Sequence, residues 1–315
     1  MKAKLLVKMS ITVVCTIAVF GTFSSCNPTK KSAGEEQDKI KVVTTLFPLY
    51  DMAKNIGADK AEVSLLLPPG VEAHSFEPKP SDIVKINEAD IFLYTGKFME
   101  PWAEGIIKSV ENKNLIVVDA SRGTKMIPGV FHDADEPAGS LDPHIWLDFD
   151  NAKTMVRNIA QAFKLNGSAN KSFYEQKADE YGNKLSGLDS AYKATLAACK
   201  SKEIIYAGHY AFGYLANRYG LKYLAAQGVS PDAEPTAKDL INLVKQIKKD
   251  KVQYVFYEEL TSPKIAETIA GETNAKLLLL NAAHNLAKNE IEKGVSFFDI
   301  LKRDLDNLKQ GLECR

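Results

Sequence analysis

Long apolar runs, cysteine, histidine and unbalanced charge are all scarce in this chain. Its 315 residues contain four cysteines and five histidines, and 40 basic side chains balance 40 acidic ones. Balanced charge with no long run of one sign excludes a nucleic-acid surface and a basic membrane-binding patch. The one sustained apolar run, Met9 to Phe20, is too short to span a bilayer. No His-Glu-x-x-His sequence and no serine nucleophile elbow is present, so the usual hydrolase signatures are missing.

The short apolar run has a different meaning. Lys2, Lys4 and Lys8 precede it, and Phe23-Ser-Ser-Cys26 follows it, which together resemble a bacterial lipoprotein signal. Residues 1–25 are then a leader that takes Cys15 away, and Cys26 is the lipid-modified first residue of the mature chain. Asn27 to Gln37 carries almost nothing that could be buried, so 26–38 reads as a flexible stalk. About 290 residues remain, enough for two ordinary domains with well-buried cores. Cys199 and Cys314 are the cysteines left; an exported protein allows them to pair, but sequence does not fix their separation.

The interior alternates β-rich apolar runs with helix-like stretches. Ile40–Leu46, Val63–Leu67, Ile91–Thr95 and Leu115–Val118 form one set of strands, with helices at Ser81–Glu88 and Trp102–Val110. Glu203–Ala207, Leu221–Ala225, Val252–Tyr257 and Lys276–Leu280 form a second, with helices at Ala237–Lys248 and Pro263–Glu272. This order predicts an α/β fold of two lobes, 39–168 and 200–315, each a mostly parallel sheet flanked by helices. Tyr174, Ala178, Tyr181, Leu185, Leu188, Tyr192 and Leu196 recur at helical spacing between them. They predict one long rigid backbone helix over 169–199 that joins the lobes.

Three histidines stand just past strand-like runs: His74 after the Pro68-Pro-Gly turn, His144 in Asp142-Pro-His-Ile-Trp, and His209 directly after Glu203–Ala207. In open α/β sheets ligands bind beyond the carboxyl ends of the strands, and between facing lobes when two are present. Three imidazoles converging there predict a buried divalent-metal site.

The motifs Val43-Thr-Thr-Leu-Phe-Pro-Leu-Tyr, Pro69-Gly-Val-Glu-Ala-His-Ser-Phe-Glu-Pro-Lys-Pro-Ser-Asp, Asp142-Pro-His-Ile-Trp-Leu-Asp, Gly208-His-Tyr-Ala-Phe-Gly-Tyr, Glu234-Pro-Thr-Ala-Lys-Asp-Leu and Val255-Phe-Tyr-Glu occur in order. The set resembles the cluster A-I (ZnuA/TroA-like) solute-binding lipoproteins of ABC importers. That resemblance implies extracytoplasmic capture of Zn²⁺, delivery to a transmembrane permease, no enzymatic activity, a lipid anchor in the bacterial cell envelope and a monomer. It maps metal ligands onto His74, His144 and His209, and a fourth, normally an aspartate, near Asn281. Asn281, His284 or water could fill that fourth place.

Three imidazoles favour zinc over manganese, which prefers oxygen donors. Glu258 is expected to support an imidazole N–H. Asp142 and Asp148 could do the same or cap a turn, and Glu234 with Thr236 could open a helix. His132 is expected in a solvated loop. Two other readings remain: a Mn²⁺ or Fe²⁺ carrier, and a secreted hydrolase in which three histidines and a water hold a catalytic zinc with Glu258 as base.

Overall fold

The computed structural model describes residues 39–129, 140–229 and 235–315. The leader, Cys26, the stalk, His132 and Glu234 lie outside the described residues.

The first sheet is built from β1 (Ile40–Thr44), β2 (Ala61–Leu65), β3 (Ile91–Tyr94) and β4 (Ile116–Asp119), in the spatial order β2-β1-β3-β4. Every pairing in it is parallel. Its crossover helices are α1 (Phe47–Gly57), α2 (Pro80–Asn87) and α3 (Ala103–Ser109). Val42, Val43, Ile91, Phe92 and Leu93 are buried, as expected for central strands covered on both faces.

After α4 (Phe149–Asn166) and α5 (Lys171–Ala197), the second sheet repeats the plan. It comprises β5 (Glu203–Ala207), α6 (Gly213–Tyr219), β6 (Lys222–Ala225), α7 (Ala237–Asp250), β7 (Tyr254–Tyr257), α8 (Lys264–Thr273) and β8 (Lys276–Leu279), followed by the short helix α9 (Lys288–Glu292) and by α10 (Phe297–Gly311). Its strands are again all parallel, in the order β6-β5-β7-β8. Both sheets therefore reverse winding direction beside their first strand, between β1 and β3 and between β5 and β7. That reversal opens the crevice where α/β sheets bind ligands.

The long helix α5 has 27 residues, about 40 Å at 1.5 Å per residue. Its buried face is Tyr174, Ala178, Tyr181, Leu185, Leu188, Tyr192 and Leu196, the predicted stripe. Two tyrosines on it reach opposite neighbours. Tyr181 Oη donates to Asp51 of α1 at 2.7 Å, and Tyr192 Oη donates to the Leu301 carbonyl at 2.6 Å, within α10 (Phe297–Gly311). Asp51 also accepts from the Phe297 amide, so one buried carboxylate ties α1, α5 and α10.

The sequence reading named no helix over α1, α4, α6 or α10. Asp148 caps α4 by accepting from the amides of Asp150 and Asn151, and Phe149, Ala152, Met155, Val156, Ile159 and Phe163 form its buried face. Thr236 opens α7 with Asp239 in a reciprocal cap. Cys199 and Cys314 are disulfide-bonded across 115 residues. None of the described helices is long and apolar enough to cross a membrane.

Direct bonds hold the lobes together. Asn285 Nδ2 donates to the carbonyls of Pro68 and Val71, the Gly70 amide donates to Leu286, and Trp146 Nε1 donates to Ala282. On the far side Arg218 of α6 pairs with Asp148, Asp150 and, through two nitrogens, Asp189 of α5.

Candidate metal centre

Each histidine reaches the crevice by a different local route. His74 sits in the turn region after β2, and its amide donates to Glu72 Oε1 at 3.0 Å. His144 precedes a single 3-10 turn over Ile145–Leu147, and the Asp142 carboxylate accepts from its amide at 3.0 Å. His209 is two residues past β5, its amide donating to Glu258 Oε2 at 3.1 Å. Only glycine fits before it, because a Cβ on Gly208 would lie 2.5 Å from that same oxygen.

His284 enters through a turn after β8. Ala283 adopts φ 63°, a left-handed conformation costly for a residue with a Cβ. The Asn281 side-chain oxygen accepts from the Ala283 amide at 2.7 Å and stabilises that turn. Asn281 is thereby occupied as a turn former, while His284 is carried into the cluster.

The imidazoles converge. His144 Nε2 lies 3.2 Å from His74 Nε2 and 3.1 Å from His209 Nε2. The His284 ring centroid is 5.5 Å from that of His209, 6.2 Å from His74 and 6.4 Å from His144. Nitrogens bound tetrahedrally to Zn²⁺ at about 2.0–2.1 Å stand roughly 3.3–3.4 Å apart, close to the spacing here. His144 and His209 are fully buried, His284 is nearly so, and His74 is partly buried at the rim.

The surrounding carboxylates decide where the ring protons sit. Asp142 Oδ1 lies 2.8 Å from His144 Nδ1, which holds the proton there and leaves the Nε2 lone pair facing the other rings. Glu258 Oε1 lies 2.6 Å from His209 Nδ1, although the pair is poorly aligned for a hydrogen bond. Lone pairs facing each other at this range repel, and a cation between them turns the repulsion into coordination.

His284 is flanked by Glu72 and Glu259, each 3.8 Å from one of its nitrogens. The sequence reading gave Glu72 no role, although its position two residues before His74 was the available signal. Burial alone would lower His284, but the Glu72 contact and the charge of Glu259 outweigh it and hold the imidazole at about 9. Burial, reinforced by the neighbouring imidazoles, pushes His74 and His144 well below the ordinary range. Those two are neutral at pH 7, as metal ligation requires.

Burial raises Asp142 and Glu259 to about 8 and Glu100, outside the cluster, to about 7. Between about pH 4 and 8 these carboxyls hold protons in the folded chain that they release on unfolding, so their stabilisation is full below the ordinary carboxylate range and is lost as pH rises to about 8. The low values of His74 and His144 act oppositely below about pH 6.5. Above about pH 6.5 the imidazoles no longer offset the carboxyls, so metal-free protein is expected to lose at least about 1 kcal/mol between pH 6.5 and 8.5. Calorimetry after chelation checks this, and a flat profile between those values would contradict it.

Residues 42–311 match the family described as "ZnuA: Zinc-uptake complex component A periplasmic". The chain is 39% identical over 304 residues to the high-affinity zinc uptake system protein ZnuA of Bacillus subtilis strain 168, covering 94% of this chain and 95% of that one. The chain belongs to this zinc-uptake family. It is also 33% identical over 310 residues to the zinc-binding lipoprotein AdcA of Streptococcus pneumoniae serotype 4, covering 96% of this chain and 60% of that longer protein. The Zn(II)-bound ZnuA-like domain of Streptococcus pneumoniae AdcA superposes with TM-score 0.76 at 33% identity, covering 87% of this chain and 99% of that one. Family members are components of metal uptake rather than enzymes, and nothing in the matches supports the hydrolase reading.

Proposed function

We propose that this chain captures Zn²⁺ outside the cytoplasmic membrane and hands it to the permease of an ABC-type importer. His74, His144, His209 and His284 would hold the ion, His284 releasing its proton as the metal binds. The observation that carries the reading is the pair of 3.1–3.2 Å contacts between imidazole nitrogens in a site where Asp142 keeps a lone pair turned inward. The zinc-uptake names of the relatives agree with it.

An all-nitrogen set favours Zn²⁺ over Mn²⁺, whose preferred donors are oxygens. The fourth position is assigned to His284 because Asn281 spends its oxygen on the Ala283 amide. Two ligands come from each lobe, so the ion acts as a clasp between them. The mature protein is proposed to be a monomer tethered through lipid on Cys26. The two-lobe body, 39–168 and 200–315 around a 169–199 linker, would be the unit that meets the permease.

Equilibrium dialysis against Zn²⁺ and Mn²⁺ tests the carrier reading. One equivalent of zinc bound well below micromolar concentration, with manganese weaker, is expected; no zinc binding at micromolar concentration overturns it.

Asp142→Asn probes the tautomer argument. An amide oxygen can accept from His144 Nδ1 but cannot lose a proton to become an anion as the cation arrives, so zinc affinity is expected to fall roughly 10–100-fold while the fold is retained. Competition with a fluorescent chelator measures it, and an unchanged affinity would remove Asp142 from the site.

A further inference from the structure

The second lobe holds more donor atoms than a shared four-imidazole site uses. One nitrogen each from His209 and His284 and one carboxylate oxygen of Glu258 lie within 4.8 Å of one another. His209 follows β5, Glu258 follows the adjacent strand β7, and His284 lies beyond β8, so a single sheet edge carries all three. No residue of the first lobe takes part.

His209 Nδ1 and Glu258 Oε1 face each other at 2.6 Å without hydrogen-bond alignment, and His284 Nδ1 is buried with no aligned partner. Buried polar atoms left without a well-formed bond are costly, and a cation among these three would satisfy them together. The other Glu258 oxygen, Oε2, accepts from the His209 amide, which anchors the carboxylate and leaves Oε1 for the interior. Glu259 does not relieve His284, because its Oε1 is 3.8 Å from Nδ1 and both its oxygens accept from the Ala282 amide.

We propose that the second lobe carries a cation position of its own, formed by His209, Glu258 and His284, which holds zinc once His74 and His144 have withdrawn. This rests on the zinc-carrier reading above. Two imidazoles and one carboxylate with an open place make a common zinc donor set. His209 faces both positions, its Nε2 toward His144 and its Nδ1 toward Glu258.

Transfer exchanges the nitrogens of His74 and His144 for the Glu258 oxygen. The single proton of the His209 ring leaves Nδ1 as that nitrogen takes the cation and returns on Nε2, so no proton is gained or lost there. Two neutral donors are replaced by one anion, and the lobe that retains the ion also supplies its counter-charge. Parting of the lobes alone then does not free the ion.

The His74→Ala/His144→Ala double variant of the mature chain, titrated with Co²⁺ and Zn²⁺, tests this. One equivalent bound roughly 10²–10⁴-fold more weakly than by wild type is expected. A further Glu258→Gln change should weaken it at least tenfold more and alter the Co²⁺ visible spectrum. A folded double variant that binds no metal, or whose binding ignores Glu258→Gln, overturns the proposal while zinc binding by wild type leaves the carrier reading standing. Absence of zinc binding by wild type removes both.

If the double variant does not fold, zinc-loaded His74→Ala crystals decide, since that residue lies at the rim. An anomalous peak within bonding distance of Glu258 supports the second position, and a peak between His144 and His209 away from Glu258 overturns it.

Discussion

His144→Ala is expected to weaken zinc binding roughly 10²–10³-fold without abolishing the fold. Structural zinc sites with four ligands bind with about 10–16 kcal/mol, which assigns about 2.5–4 kcal/mol to each ligand. His144 stands at the centre, with Nε2 in contact range of both His74 and His209, so its loss opens two edges of the site. Its ring also packs edge-on against Trp146, at 5.4 Å between centroids, and its Nδ1 is the partner of buried Asp142. Truncation therefore leaves a cavity and an unpaired carboxyl, and a lower melting temperature should accompany the lost affinity. Asn281→Ala is expected to cost less affinity, because its oxygen supports the turn that carries His284 and is not aimed at the ion. A chelator competition in which His144→Ala stays within threefold of wild type would sink the assignment.

The contrast between Asn281 and His284 shows where sequence reading stops. Spacing past a β-run led to His74 and His209, whose segments leave β2 and β5 toward the crevice, whereas His144 follows no parallel strand and enters from the loop before the 3-10 turn at Ile145–Leu147. The proposed fourth position depends on a left-handed residue, Ala283, whose conformation no local pattern announces. A resemblance that pointed to the end of the last strand therefore met an asparagine, while the turn delivered the histidine three residues later.

The same limit applies to the helices. The α5 stripe was legible because seven apolar positions repeat without interruption over 27 residues. In α10 the repeat is broken by Asp304, buried and accepting from the Asn281 amide, so a core position looks polar. In α1 the apolar run is continuous with that of β1, and short windows do not separate the two periods. Carboxylates such as Asp142 and Glu258 were legible as neighbours of histidines, but not the atom each would face.

Replacing both Cys199 and Cys314 by serine is expected to destabilise the protein by about 2–4 kcal/mol, a drop on the order of 4–16 °C in melting temperature for a chain this long. The bond closes a loop of 115 residues that encloses the whole second sheet, so the unfolded chain gains much freedom when it is cut. Its effect is moderated in the folded state, where the Lys200 amide donates to Glu313, Ser201 to Leu312 and Arg315 to Ala198. These backbone bonds keep the C-terminus against the end of α5 after the sulfurs are removed. The bond stands where β5 begins, while His209 lies past the end of that strand. Zinc stoichiometry should therefore stay at one, and the rise in melting temperature on adding zinc should persist in the variant, since ligand stabilisation depends on affinity for the folded form. A melting temperature that is the same with and without reductant would show that the second lobe does not rely on the bond. A lost zinc response would show instead that the clasp at one end of the sheet sets the geometry at the other.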